Sequence, residues 1–138
     1  MITLNLFVHE HSRNDGRRLR ETLQNRFQEI PCRVATNTTA LRENLNNAVR
    51  YGELHIYVVL ADTRERLDEL FQLYSFMDDR KIVLILPDNQ RSTYAAGFRL
   101  YPRFVTLISE NFEDVCEVLE KMMDYFQRSW NELHSLRT

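Results

Sequence analysis

Two short and almost entirely apolar stretches limit what this chain can fold into more than any other feature of its sequence. Leu54 to Ala61 reads LHIYVVLA, and Lys81 to Leu86 reads KIVLIL. Apolar runs of this length that contain many β-branched residues are typical of strands covered on both faces, as in parallel sheets. The sequence therefore predicts a sheet with helices on both sides.

Three further strands are predicted at Ile2 to Val8, Cys32 to Ala35 and Phe104 to Ile108, and helical patterns separate all five strands. Strands joined by helical crossovers run parallel, and right-handed crossovers place helices on both faces. The predicted fold is α/β: a five-stranded doubly wound parallel sheet in three α/β/α layers, flavodoxin-like, with an extended C-terminal helix. The apolar helical positions are Leu19, Leu23 and Phe27; Leu41, Leu45, Ala48 and Val49; Leu67, Leu70, Phe71, Tyr74 and Met77; a weaker segment at 91–99; and Val115, Val118, Leu119 and Met122.

Length and composition exclude several classes of protein. The 138 residues fit one domain, predicted at 1–126, with 127–138 as an extension of the last helix. The 18 basic and 20 acidic residues are interspersed, so no nucleic-acid partner is expected. Cys32 and Cys116 lack CxxC or metal spacing, which predicts buried free thiols in a reducing compartment. No run approaches the roughly 18 apolar residues of a membrane span, so no membrane partner and a cytoplasmic location are expected.

Candidate ligand-binding residues follow the strands, because open parallel sheets bind ligands beyond the carboxyl ends of their strands. Two sets suit a metal: His9 and His11 with Asp62 for zinc, and Glu10 and Asp62 with Asp88 for Mg²⁺. Mg²⁺ is the one cofactor that we keep as a candidate from these residues, and no other cofactor is expected. The structural alternatives are that the histidines are solvated strand-end residues and that Asp62 is an N-cap, with Glu65 completing a capping box.

The residues after the strands also resemble those of response-regulator receiver domains, over residues 1 to about 126. In that family an acidic pair after the first strand helps hold magnesium and an aspartate after the third accepts a phosphoryl group, while a hydroxyl residue ends the fourth strand and a lysine the fifth. Here Glu10 keeps part of the acidic pair and Asp62 stands at the acceptor position, but Pro87 and Ser109 replace the hydroxyl residue and the lysine. The resemblance implies a non-enzymatic pseudo-receiver, a signalling or scaffolding relative of two-component response regulators. The alternative is an atypical receiver phosphorylated on Asp62.

A second resemblance concerns the helix after the third strand, which carries Asp68-Glu69-Leu70. TIR-like domains share this order of elements, and some of them cleave NAD with a glutamate in that helix. The resemblance implies Glu69 as the catalytic candidate. The tryptophan and serine neighbours characteristic of that family are absent here.

Two further groups are candidates for protein contacts. In receivers the fourth helix and fifth strand contact partners, and here that region contains Tyr94, Phe98 and Tyr101. Beyond residue 125, large apolar residues continue at helical spacing, which predicts either a homodimer seam, or docking into a partner's groove, or folding back onto the domain. The residues of this stripe are Phe126, Trp130, Leu133 and Leu136. Lys81 and Arg103 start strands at the opposite edge, and no chemistry is assigned to them.

Overall fold

The structure, a computed structural model, describes residues 1–109 and 111–135. In these ranges the chain forms five strands and six α-helices, and at least one helix follows every strand. The strands are β1 Ile2–Phe7, β2 Cys32–Ala35, β3 Leu54–Leu60, β4 Lys81–Leu86 and β5 Phe104–Leu107. The helices are α1 Arg13–Arg26, α2 Thr38–Asn46, α3 Arg64–Leu70, α4 Tyr74–Met77, α5 Arg91–Phe98 and α6 Glu113–Ser135, with a 3₁₀ turn at Phe71–Leu73 between α3 and α4.

The five strands form one sheet in the order β2-β1-β3-β4-β5, and every neighbouring pair is parallel. Leu6 of β1 lies opposite Val34 of β2 on one side and Val58 of β3 on the other. The chain moves outward from β1 to β2 and then returns past β1 to β3, so the direction of winding reverses between β1 and β3. This topology confirms the predicted flavodoxin-like α/β fold with its long C-terminal helix.

Successive side chains of the strands point alternately into two separate hydrophobic cores, one on each face of the sheet. On one face Leu6 packs in a cluster with Leu19 of α1 and Leu119 of α6. On the other face Phe7 packs in a cluster with Leu41 of α2 and with residues of α3 and α4. Every residue of β3 is buried, and so is every residue of β4 after its first. The two continuous apolar runs thus occupy the middle layer, as predicted for strands covered on both faces.

The end of α2 is set by residues that are distant in sequence. The helix ends at Asn46, although the apolar pattern continues beyond it. The Tyr57 hydroxyl donates to the Asn44 carbonyl at 3.1 Å, and the Arg80 guanidinium donates to the Leu45 carbonyl at 2.9 and 3.1 Å. The last carbonyls of a helix have no partner inside it, so side chains from β3 and from the segment before β4 complete this end.

The sequence pattern predicts Thr38 or Thr39 as the N-cap of α2 and Gly52 at its C-terminus, and the structure shows that both boundaries were wrong. Asn37 is its N-cap, in place of Thr38 or Thr39, and the Asn37 side-chain oxygen accepts the N–H of Ala40 at 2.8 Å. Gly52, expected at the C-terminus of this helix, lies in the turn before β3 with a φ of +86°. Asparagine competes well with threonine as an N-cap, so composition alone does not choose between adjacent candidates.

The third helical segment is interrupted, although one continuous helix was predicted. A 3₁₀ turn separates α3 from α4 and closes in about 3 residues instead of about 3.6. This change of pitch accompanies a change in which side chains face inward. Leu73 and Met77 are buried, whereas Tyr74 is 45% exposed.

Both cysteines are free thiols, as predicted. Cys116 is buried on α6, and Cys32 is half-buried at the start of β2. Burial raises the pKa of each thiol above its ordinary value, which keeps both in the unreactive protonated form. Among the residues described, no helix combines the length and apolar character needed to cross a bilayer, and this includes the 23-residue α6.

Candidate functional site

The His9-Glu10-His11 segment first extends the pairing of β1 and then turns. The N–H of Glu10 donates to the Thr36 carbonyl at 3.0 Å, and the N–H of Ser12 donates to the His9 carbonyl at 2.9 Å. The two imidazole rings lie close together, with 4.9 Å between their centroids. The backbone N–H of His11 donates to Nδ1 of His9 at 3.1 Å. Nδ1 of His9 is therefore already engaged in a hydrogen bond within the turn.

The surroundings of His9 favour its neutral form. Partial burial lowers the pKa of His9 below its ordinary value, and the nearby positive charge of Arg66 lowers it further. These effects outweigh the opposite influence of Glu69 and Glu10. Since Nδ1 accepts a hydrogen bond, the neutral ring carries its proton on Nε2.

Asp62 lies after β3 at the position expected from the receiver resemblance, but it makes an ion pair with Arg66 in the helix that follows, α3. Its Oδ1 lies 3.3 Å from Nε of Arg66, and the two side chains are only 13% and 11% exposed. The expected N-cap role of Asp62 was wrong. Thr63 is the N-cap of α3, and its hydroxyl accepts the backbone N–H of Arg66 at 3.0 Å. Asp62 is thus neutralised by Arg66 and largely removed from water.

The residues after β4 and β5 shape the following turns. Oδ1 of Asp88, which follows Pro87, accepts the N–H of Gln90 at 3.0 Å at the entrance of α5. A hydrogen bond from Thr93 and this backbone bond lower the pKa of Asp88. The Ser109 hydroxyl accepts the N–H of Phe112 at 3.0 Å ahead of α6. Glu110, the other residue that follows the predicted fifth strand, lies outside the described residues.

The cleft beside β1 has an electrostatic character that suits anions and not cations. It encloses about 320 Å³ between the end of β1 and α1 and is lined by His9 and Glu10 together with the arginines of α1. Three cations face one carboxylate there, so a metal cation would be repelled. The arginines are Arg13, Arg17 and Arg20.

The predicted metal ligands do not fit a metal site in this arrangement. In residues 1–109 and 111–135, no group of three or more His, Cys, Asp or Glu side chains is placed to hold an ion. Asp62 is paired with Arg66, and Asp88 accepts hydrogen bonds of its own turn. Two of the three predicted carboxylate ligands, Asp62 and Asp88, are therefore already engaged by other groups of the protein.

Glu69, the candidate from the TIR-like resemblance, lies on α3 with its carboxylate 3.1 Å from the guanidinium of Arg66. Its side chain is 51% exposed. Arg66 therefore bridges Glu69 on the helix surface and the partly buried Asp62. The placement gives Glu69 a structural partner, and NAD cleavage stays a prediction.

An aromatic surface forms where the 3₁₀ turn and α4 approach the end of α5. The rings of Phe71 and Tyr74 are stacked with 5.1 Å between centroids, and the guanidinium of Arg99 lies 4.1 Å from the centroid of Phe71. With Tyr101 these residues line a shallow depression of about 340 Å³. We refer to Phe71, Tyr74, Arg99 and Tyr101 as the aromatic surface.

The three contact candidates in this region are placed differently. Tyr101 belongs to the aromatic surface, and Phe98 is 60% exposed on α5. Tyr94 is half-buried and packs against the core, with its ring 6.4 Å from that of Phe98. Sequence reasoning had treated Phe71 and Tyr74 as core residues of one helix, and no local signal marks the 3₁₀ turn that separates their helices.

The C-terminal stripe folds back onto the domain at Phe126 and Trp130. Phe126 packs against the core, and the Trp130 ring lies 5.1 Å from that of Tyr51. A Cβ at Gly52 would lie 3.0 Å from the Trp130 ring, so a side chain there would press on the indole. Leu133 stays 44% exposed, and Leu136 lies outside the described residues.

Comparison of the chain with protein-family models, with curated proteins and with solved structures found no match in any of the three. The flavodoxin-like fold is shared by proteins of many unrelated functions. The function therefore has to be argued from the surfaces of this molecule.

Proposed function

We propose that the protein is a non-enzymatic, receiver-like signalling or scaffolding module that acts through protein contacts made by the aromatic surface. The observation that carries this proposal is the Arg99 guanidinium stacked on Phe71 beside the partly exposed Tyr74 and Tyr101. Aromatic residues and arginine are enriched at the centres of protein interfaces, where they supply much of the binding energy. Tyr74 and Tyr101 are both close to half exposed, so their rings are available to a partner.

The backbone at Tyr101 supports the same proposal. Tyr101 has a φ of +56°, in the left-handed region that side chains other than glycine rarely adopt. Such a conformation costs about 1 kcal/mol or more and persists where neighbouring packing fixes it. The adjacent Leu100 is fully buried and provides that anchor. The backbone that carries Tyr101 is therefore fixed before binding, which reduces the entropy lost in a complex.

The ion pair of Asp62 favours this function over a phosphorylation switch. A phosphoryl group on Asp62 would replace the carboxylate that pairs with Arg66 and would add charge to a largely buried position. We therefore expect no phosphoryl adduct when the protein is incubated with acetyl phosphate and magnesium and its intact mass is measured. An adduct that is absent from Asp62→Ala would establish the atypical receiver instead.

The proposed contact can be tested by site-specific photo-crosslinking of the full chain in cells. A photoreactive benzophenone amino acid replaces Tyr74 in the aromatic surface, and a matched protein carries it at Tyr51, which is 71% exposed and does not line the aromatic surface. We expect a discrete protein adduct from position 74 only. Arg99→Ser with Tyr101→Ser should abolish it while leaving thermal unfolding within a few degrees of the parent.

Three results would contradict the proposal. They are equal adducts from positions 51 and 74, an adduct that survives Arg99→Ser with Tyr101→Ser, and no adduct from position 74. An adduct with the mass of two copies of this chain would identify a homodimer as the contact. In that case the homodimer contact would lie on the aromatic surface and not on the C-terminal stripe.

A further inference from the structure

An apolar groove lies at the edge of the sheet opposite the strand-end candidates. It encloses about 530 Å³ between α6 and the amino ends of β3, β4 and β5. Binding sites for small molecules are typically clefts of about 300–1,000 Å³ lined mainly by apolar and aromatic side chains. The apolar lining residues are Leu54, Phe104, Val118, Met122, Tyr125 and Phe126.

The charged residues that line this groove are all cations. Lys81 begins β4, Arg103 precedes β5 and Lys121 lies on α6, so three separate elements supply them. Among the residues that the structure describes, no aspartate or glutamate lines the groove. Across residues 1–109 and 111–135, none of the three cations forms an ion pair with an acidic side chain.

The main chain places two of these cationic residues at the starts of neighbouring strands. The N–H of Arg103 donates to the carbonyl of Ile82 at 2.7 Å, which holds the residue before β5 beside the first residues of β4. Lys81 and Arg103 therefore start neighbouring strands at one edge. Lys121 lies on the helix that forms the other wall.

We propose that this groove binds a long-chain carboxylate of the fatty-acid type, with its hydrocarbon chain on the apolar lining and its carboxylate among Lys81, Arg103 and Lys121. Charge complementarity selects an anion, and the apolar lining selects a hydrocarbon body. The site is independent of the aromatic surface and of the proposed protein contact.

The size of the groove favours a small amphiphile over a macromolecule. Ten residues line it, whereas a stable protein interface uses about 20–30 residues on each side. The cations come from three elements around one cavity, an arrangement suited to one compact anionic group. An acidic amphipathic peptide is therefore left as an outcome of the test.

The test is titration calorimetry of the full chain with dodecanoate and hexadecanoate, below the concentrations at which they form micelles. Each pair of additional buried methylenes is expected to tighten binding by about tenfold, up to the length that the groove holds. Hexadecanol, which has the same chain without the charge, should bind at least tenfold more weakly than hexadecanoate.

Charge reversal identifies the site. Arg103→Glu and Lys121→Glu should each weaken hexadecanoate binding at least tenfold without changing the melting temperature of the ligand-free protein by more than a few degrees. Arg128→Glu is the matched control, because Arg128 also lies on α6 but pairs with Asp124 and does not line the groove. Arg128→Glu should leave the affinity for hexadecanoate unchanged.

Several results would overturn the proposal. These are the absence of hexadecanoate binding, equal affinity for the acid and the alcohol, and equal losses in Arg128→Glu and Lys121→Glu. Tighter binding of an acidic amphipathic peptide than of hexadecanoate would also overturn it and would assign the groove to a protein partner.

A substitution that narrows the groove gives a second test of the site. Ser129→Trp, which narrows the groove without changing its charges, should weaken binding of hexadecanoate more than of dodecanoate.

Discussion

At the scale of single residues, Arg66 determines what the carboxyl edge of the sheet can do. Its guanidinium pairs with Asp62 and Glu69, and its charge contributes to the lowered pKa of His9. Arg66 thus balances the charge of Asp62, the phosphoacceptor candidate, and pairs with Glu69, the catalytic candidate from the TIR-like resemblance. It also favours the uncharged form of His9, a metal-ligand candidate. The sequence places Asp62 and Arg66 one helical turn apart, a spacing that allows such a pair. It does not reveal that the pair is largely shielded from water, with side chains 13% and 11% exposed.

Arg66→Ala should destabilise the protein by about 2–3 kcal/mol, because it leaves the 13% exposed Asp62 carboxylate without its cation. Arg64→Ala is the matched control on the same helix. Its partner Asp68 is 65% exposed, so the loss should be within about 0.5 kcal/mol. Denaturant unfolding gives both values. Equal effects of the two substitutions would show that the burial of the Asp62 pair contributes nothing.

The lowered pKa of His9 predicts a dependence of stability on pH. In the range between its lowered folded pKa and the ordinary value of 6.5, the unfolded chain binds more protons, so this residue lowers stability as the pH falls through 6.5. Above that value the ring is neutral in both states and contributes no pH dependence. His9→Gln should therefore lose less stability than the parent between pH 7 and pH 5, measured by denaturant unfolding. Parallel curves for the two proteins from pH 8 to pH 5 would contradict the prediction.

At the scale of elements, the sequence predicts the sheet better than the helix ends. The apolar run from Lys81 to Leu86 coincides with the observed bounds of β4, because a strand covered on both faces is apolar along nearly its whole length. The end of α2 depends instead on Tyr57 and Arg80, which donate to its last carbonyls from later in the chain. Contacts of this kind are made only after folding, so local signals cannot reveal them.

The observed caps give a prediction for the helices. Thr63→Ala and Asn37→Ala should each cost about 1 kcal/mol, because each removes a side-chain acceptor from an N–H at the start of a helix. Thr39→Ala and Glu65→Ala, the neighbours favoured by sequence pattern, should change stability by less than about 0.5 kcal/mol. Thermal unfolding of the four variants distinguishes the two sets. A larger loss of stability in Glu65→Ala than in Thr63→Ala would contradict this prediction and would support the capping box that the sequence pattern predicts.

At the scale of the whole molecule, the two edges of the sheet have different characters. Polar residues after the strands are used in turns and ion pairs at the carboxyl edge, where sequence reasoning expected a site. At the amino edge α6 covers part of the sheet and leaves the groove that contains Lys81 and Arg103. Those two residues come from different strands and become neighbours only through the order of the sheet. The groove could not be predicted from either strand alone.

The C-terminal stripe gives the last prediction, which concerns assembly. Trp130 packs on Tyr51 and closely approaches Gly52, so its ring is already used within the chain. Trp130→Ala should therefore cost about 2 kcal/mol of stability and leave the particle mass at that of one chain, 16.6 kDa. Leu133→Ala is the matched control on the same helix, and it should alter neither quantity because Leu133 is 44% exposed. Light scattering together with denaturant unfolding measures both. A parent mass of two chains that falls to one chain in Leu133→Ala would instead make the exposed end of α6 the homodimer seam, since only a contact outside the folded domain would depend on that side chain.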